Sequence, residues 1–228
     1  MINKQVASAA EALADVRDGS TILVGGFGQI GHPMALIDGL IEQGARDLVI
    51  VCNNAGVGTS GLPRLMKLGR VAKIICSYPR TAAVFTELYA AGKLELEITP
   101  QGTLAERIRA AGAGIGGFYT RTSAGTLLAA GKETREIDGV AYVFEKPLKG
   151  DVAIIEAWEG DRWGNLTYRG SGQNFNPVMA TAAALTVAQV QRVVDLGAID
   201  PGDVVTPSIF VDRVVEIPYE PPYPAISY

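Results

Sequence analysis

The side chains able to do chemistry sit in loops, each directly behind an apolar run. Gly26-x-Gly28-x-x-Gly31 follows Thr21-Ile22-Leu23-Val24 and precedes a helix expected to open near Pro33. Backbone N–H groups of such a loop, with a helix N-terminus, can hold a pyrophosphate, and the pattern matches a dinucleotide fingerprint. That fingerprint also wants a carboxylate about 20 residues on, for a ribose hydroxyl, where the second strand closes. Cys52-Asn53-Asn54 stands there instead, which argues against a nicotinamide-dependent reductase. The other reading of the glycines is a tight turn and nothing more.

Gln101, in Thr99-Pro100-Gln101-Gly102, is expected just past another strand, where its amide N–H can stabilise a developing oxyanion or simply brace the loop. Asn53 and Asn54 tolerate left-handed backbone and can form a turn there. Arg80, after Cys76-Ser77-Tyr78-Pro79, offers a fork for a carboxylate or a surface or interchain contact. Cys52 and Cys76 read as small buried hydrophobes, Trp158 and Trp163 as packing residues, and Glu156 and Glu159 as structural or solvated. His32 is the one histidine; without a carboxylate or cysteine cluster near it, no metal site is expected.

These loops need a scaffold that aims them to one edge, and the sequence supplies it. An amphipathic helix is expected over 4–17, with Val6, Ala9, Ala10, Leu13 and Val16 on one face. Continuous apolar strands follow at 21–24, 47–52, 71–76 and 94–98, alternating with helices ending near Gln43, Gly69, Ala91 and Ala111. That alternation implies right-handed crossovers and a parallel sheet, an α/β fold: a mostly parallel, Rossmann-like open sheet with helices on both faces. Ligands in such sheets bind beyond the carboxyl ends of the strands, which groups the loops at 25–33, 53–61, 77–80 and 99–102. The glycine-dense stretch 112–131 reads as a loop or a meandering excursion without a regular element, and Asp138-Gly139 marks a β-hairpin between 133–137 and 140–145. Beyond it come a strand at 151–158, a helix at 177–185 and strands at 187–194 and 209–217. One domain over 1–217 is expected, with a proline-rich extended tail at 218–228.

Composition closes off other classes. The chain has 228 residues, 48% hydrophobic and 19% charged, so it can bury a sizeable core and is not disordered. A net charge of −4 and the lack of a Lys/Arg run argue against nucleic-acid binding. The N-terminal stretch has no signal-peptide core and no apolar run reaches about 18 residues, so no membrane span is expected. Two cysteines cannot build a disulfide framework, which fits a cytoplasmic location.

The stretch Asp18 to Pro33, DGSTILVGGFGQIGHP, resembles the first signature of the 3-oxoacid coenzyme A-transferases. Further blocks agree in order: Asn53-Asn54-Ala55-Gly56, Thr99 to Arg109, Gly112-Ala113-Gly114, Gly125-Thr126-Leu127, Gly131 to Arg135, Gly164-Asn165-Leu166 and Asn174-Phe175-Asn176. The resemblance covers residues 1 to about 217 and is to the first, or alpha, of the family's two subunits. It implies a ping-pong transfer in which a glutamate attacks an acyl-CoA thioester and carries CoA as a glutamyl thioester. That glutamate lies in a Ser-Glu-Asn-Gly block of the second CoA-transferase subunit, and no such block occurs here. The resemblance therefore implies a heterodimer or heterotetramer with that second subunit, which is active only when assembled. Coenzyme A thioester is then the substrate, and no tightly bound cofactor is expected. The resemblance also implies Gln101 as oxyanion donor and Gly25, Gly26, Phe27, Gly28, Gln29, Ile30, Gly31, Asn53, Asn54 and Arg80 as substrate-binding. A non-catalytic CoA-binding or scaffolding protein is the rival reading.

Within the family, Cys76-Ser77-Tyr78-Pro79-Arg80, Gly131 to Gly139 and Gly160 to Asn165 resemble the members acting on 3-oxoadipate in aromatic-compound degradation, with succinyl-CoA as donor. A second carboxylate on that acid gives Arg80 a purpose; acetoacetate or another short 3-oxoacid is the alternative. The chain departs from the pattern after Arg80, where it is shorter, at Gln173, where an arginine is usual, and at Gly170-Ser171-Gly172.

Overall fold

The computed structural model describes residues 2–80 and 82–218. In chain order its strands and helices are β1 (Gln5–Val6), α1 (Ala9–Ala12), β2 (Thr21–Val24), α2 (Met34–Gln43), β3 (Leu48–Asn54), α3 (Leu62–Lys67), β4 (Val71–Tyr78), α4 (Ala83–Ala90), β5 (Glu95–Ile98) and α5 (Gln101–Gly112). Then follow β6 (Phe118–Thr120), β7 (Thr134–Ile137), β8 (Val140–Glu145), β9 (Gly150–Asp161), β10 (Leu166–Thr167), α6 (Asn176–Ala180), β11 (Ala183–Val194) and β12 (Arg213–Glu216).

Continuous apolar strands demand cover on both faces, because alternate side chains point opposite ways. Ile22, Val24, Ile50, Cys52, Ile74 and Ile154 face one way and pack with Leu36, Leu40, Leu65 and Phe85 from α2, α3 and α4. Leu23, Val51, Ile75, Ala153 and Ile155 face the other and meet Leu104 and Ile108 of α5 and Met179 of α6. The main sheet runs β1-β12-β11-β9-β2-β3-β4-β5 with every neighbour parallel, and β10 adds antiparallel to β9. From β2 the chain winds outward through β3, β4 and β5; from β9 it winds the opposite way through β11 and β12. The order reverses between β2 and β9, which is where a ligand crevice opens in such sheets.

The expected hairpin is present. Asp138 and Gly139 take φ +51° and +73°, the left-handed pair that a two-residue turn needs, and β7 and β8 pair across them. Arg107 of α5 ties this excursion to the main sheet, donating to Glu97 (2.8 Å), Thr99 (3.2 Å) and the Lys146 carbonyl (2.9 Å). Buried Glu145 is neutralised by Lys132 at 2.6 Å.

Four expectations are corrected. The helix at 4–17 shrinks to α1, whose start is fixed by Ser8 as N-cap: Ser8 Oγ accepts from Glu11 N (3.1 Å), and Glu11 Oε2 accepts from Ala7 N just ahead of the cap (2.9 Å). Gln5 and Val6 are thereby freed to pair as an edge strand with Val214 and Val215. The helix at 177–185 stops at Ala180, since Ala183 already pairs with Gly150, and strand pairing outweighs local helix propensity. The strand at 209–217 begins only at Arg213, after a 3-10 turn at Ser208–Phe210. The glycine-dense stretch 112–131 holds a strand, β6, which pairs with β8. The tail beyond residue 218 lies outside the described residues.

Candidate active site

The loop leaving β2 is anchored by Gly25 N–H on the Ile154 carbonyl at 3.0 Å. Phe27 and Ile30 then bond each other's carbonyls in both directions at 3.0 Å, closing a turn over Gly28-Gln29 and leaving both apolar side chains half-exposed at its tip. Three of its glycines have positive φ: Gly26 (+110°), Gly28 (+64°) and Gly31 (+69°).

What crowds these glycines is protein. A Cβ on Gly25 would sit 1.8 Å from Asn176 Oδ1, one on Gly26 2.7 Å from the His32 ring, and one on Gly31 2.7 Å from the Gly172 carbonyl. The loop's carbonyls are held from beneath by side-chain donors. Asn54 Nδ2 (2.9 Å) and His32 Nε2 (3.0 Å) reach the Gly28 carbonyl, Asn174 Nδ2 the Ile30 carbonyl (3.0 Å), and Asn176 Nδ2 the Gly31 carbonyl (3.0 Å). Burial lowers the His32 pKa, so its ring is neutral and Nε2–H is the donor. His32 is thus a buried brace for the loop. The first-turn N–H groups of α2, on Ala35 and Leu36, are spent on Gln189 Oε1 at 3.1 and 3.3 Å. A pyrophosphate would find the helix N-terminus occupied and the approach over Gly26 and Gly31 filled, so the dinucleotide reading fails on geometry.

Asn53 and Asn54 are buried in the last two positions of β3, without positive φ, so the left-handed-turn alternative is overturned. Asn53 lies beside Ser77 across the β3–β4 pairing. Buried Oδ1 of Asn53 and of Asn54, and Oγ of Ser77, find no hydrogen-bond partner among the described residues. Buried polar groups are nearly always satisfied, so three such oxygens together set this end of β3 and β4 apart.

Two cavities flank the loop. One, about 360 Å³, is lined by Phe27, Gln101, Gly102, Ala105, Asn174, Phe175 and Val178. Gln101 opens α5 after Pro100, and the structure brings it to the same hollow as the loop tip. The other, about 200 Å³, is lined by Ile30, Gly31, Glu156, Trp158, Tyr168 and Arg169, among others. There the Arg169 guanidinium lies 4.8 Å over the Trp158 ring. Glu156 accepts from Gln189 Nε2 at 3.1 Å. Burial nevertheless lifts its pKa to about 7, against the opposing pull of that hydrogen bond. Glu159 is structural, paired with Arg192 through Nε at 2.6 Å.

Arg80 is exposed just beyond β4 and lines neither cavity. Cys52 and Cys76 face each other across β3 and β4; burial holds the Cys52 thiol well above its usual pKa and pushes Cys76 to about 12, so both are inert packing groups. Reasoning from sequence did not place Glu156, Trp158, Arg169, His32 or Asn176 in the site. Among the described residues no cluster of three or more His, Cys, Asp or Glu could hold a metal ion, and no helix is long and apolar enough to cross a membrane.

Sequence and fold both relate the chain to a known family. Residues 6–217 match the coenzyme A transferase family model, and the chain belongs to that family. It is 59% identical over 219 residues to the A subunit of 3-oxoadipate CoA-transferase from Pseudomonas putida, covering 95% of each chain. It is 51% identical to the A subunit of succinyl-CoA:3-ketoacid coenzyme A transferase from Xanthomonas campestris pv. campestris (strain B100), covering 93% of this chain and 88% of that one. The fold matches the Escherichia coli O157:H7 acyl-CoA transferase in its thioester complex with CoA, at TM-score 0.85 and 24% identity over 95% of this chain. This chain spans just under half of that polypeptide, 47% of its length.

The Glu156 environment generates a pH prediction. Below its ordinary pKa of 4.5 the carboxyl is neutral folded or unfolded; as pH rises towards about 7 the unfolded chain ionises first, so native stability falls, and above that the loss is complete. Glu156→Gln removes this penalty. Its urea midpoint should exceed wild type at pH 8 and converge on it below about pH 4.5. A variant no more stable than wild type at pH 8 would refute the assignment.

Proposed function

We propose that this chain is the alpha half of a two-subunit transferase that moves coenzyme A from succinyl-CoA to a 3-oxoacid, 3-oxoadipate before acetoacetate. One observation carries the reading. The larger cavity gathers the glycine-loop tip and Gln101, and its described lining offers amides and apolar groups but no carboxylate or thiol to act as nucleophile. Such a site can bind and polarise an acyl group, yet covalent CoA transfer needs a nucleophile. That group is a glutamate of the second CoA-transferase subunit.

In this reading the partner's glutamate adds to the succinyl-CoA thioester carbonyl and CoA thiolate leaves, giving a mixed anhydride. The thiolate then attacks the glutamyl carbonyl of the anhydride, releasing succinate and leaving glutamyl-CoA. The same steps run in reverse with the acceptor acid, which leaves as its CoA thioester. Gln101 donates its side-chain N–H to the oxyanion of each addition step, in an apolar hollow where a fixed dipole acts strongly. The Gly25–Gly31 turn shapes the hollow, and the unpartnered oxygens of Asn53 and Asn54 orient bound polar groups. Arg80, at the same carboxyl edge, takes the distal carboxylate of 3-oxoadipate on closure against the partner. Coenzyme A comes and goes as substrate, with no resident cofactor. The free, buried thiols of Cys52 and Cys76 support a reducing, cytoplasmic setting, and ring-cleavage products of aromatic compounds would supply the acceptor.

The test is reconstitution. The purified chain alone should give no turnover of succinyl-CoA with 3-oxoadipate, and should gain it with the partner; full activity without a partner would sink the proposal. In the assembled enzyme Gln101→Ala should lower kcat by about 10²- to 10³-fold, as loss of an oxyanion donor does elsewhere. A change within a few fold, in a folded variant, would remove Gln101 from the chemistry. Arg80→Ala should raise KM for 3-oxoadipate roughly 10- to 100-fold while leaving acetoacetate nearly unaffected. Equal effects on both acids would take Arg80 out of the acid pocket and reopen the choice of acceptor.

A further inference from the structure

We propose that Asn176 is the positioning residue for the glycine loop, setting where Phe27 stands relative to Gln101; the catalytic part of this rests on the transferase reading above.

Its side chain is fully buried, and its amide atoms are all engaged across three separate segments. Oδ1 accepts from the Glu156 N–H of β9 at 3.0 Å. Nδ2 donates to the Gly31 carbonyl at 3.0 Å and to the Gly172 carbonyl at 2.8 Å. The central strand is thus wired directly to the loop that separates the two cavities and to the turn that roofs the smaller one.

The glycines beside it are cut to its shape. A Cβ on Gly25 would lie 1.8 Å from Oδ1, and one on Gly31 2.8 Å from Nδ2. Either end of the loop therefore admits no side chain while the Asn176 amide is in place. Between those two fixed points lies the Phe27–Ile30 turn, with Phe27 lining one cavity and Ile30 the other. Breaking the Nδ2 bonds frees Gly31, the C-terminal anchor of the turn that faces Gln101, so that the turn can pivot on the Gly28 and Ile30 carbonyls that other side chains hold. Bonds formed by Asn174 and Asn54 hold the loop at other carbonyls, so the fold survives while the placement is lost.

Two variants in the assembled two-subunit enzyme test this. Asn176→Asp keeps Oδ1 but sets a carboxylate oxygen against the Gly31 and Gly172 carbonyls. Gly25→Ala/Asn176→Ala fills the vacated space with a methyl group and restores none of the hydrogen bonds. Both are read by hydrogen exchange on peptides spanning 25–33 and 48–54 and by steady-state kinetics with succinyl-CoA and 3-oxoadipate. For either variant, exchange over 25–33 should quicken about tenfold or more with 48–54 unchanged, and kcat should fall about 10²-fold, the scale of a misplacement near 1 Å. KM for succinyl-CoA should move by less than about threefold. If Asn176→Asp does not fold, the double variant decides alone. A kcat near wild type, or exchange rising equally over 48–54, overturns the positioning role. If wild type itself shows no transfer, the transferase reading fails while the exchange comparison still decides whether Asn176 holds the loop.

Discussion

The polar backbone of the β2–α2 loop must be satisfied in a crevice where no strand continues to pair with it. Strand order reverses between β2 and β9, so the chain leaving Val24 has sheet on either side but no ladder of its own. Its carbonyls at Gly28, Ile30 and Gly31 are met instead by Asn54 from β3, His32 from the loop itself, and Asn174 and Asn176 from the segment entering α6. These donors come from distant parts of the chain. The loop has its shape only once β3 and β9 are in register and α6 is docked.

All of these donors are neutral. Burying lysine or arginine under the loop would carry a desolvation cost of several kcal/mol per ion, whereas a buried amide that keeps its hydrogen bonds costs little. Neutral bracing also leaves the local field unclaimed. The larger cavity has Gln101 and Asn174 in an otherwise apolar lining, with no charged side chain among the residues that line it. The smaller cavity follows the same logic by another route. Glu156 is the carboxylate beneath the loop, and its burial keeps it neutral for part of the time near pH 7.

Much of this scaffold is legible in the residues. The runs TILV, VIVC and KIIC are apolar on both alternating faces, which only a covered parallel sheet accepts, and Asp138-Gly139 states its turn outright. What local sequence could not reveal is what long-range pairing decides. Gln5 and Val6 look helical until Val214 and Val215 offer an edge, and Leu185 looks like a helix end until Ala183 meets Gly150. The site divides the same way. Gln101 and Gly25 to Gly31 announce themselves by place, directly behind strands. His32 and Asn176 do not, because their roles exist only once the chain has folded around the loop. Asn176 meets Gly31 across a sequence separation of 145 residues.

The glycine pattern shows why spacing alone leaves chemistry undetermined. Gly26-x-Gly28-x-x-Gly31 allows a phosphate to approach bare backbone, and it equally allows the protein's own side chains to do so. The deciding fact is what fills the space a Cβ would take: an imidazole at Gly26, a carbonyl and amides at Gly31, and an amide oxygen at Gly25. A helix N-terminus already bonded to Gln189 points the same way. Here glycine serves inward packing, which stiffens the loop, and the turn of Phe27 and Ile30 is what it leaves at the surface. A loop braced in this way spends its ordering energy during folding, so whatever meets its tip meets a fixed shape.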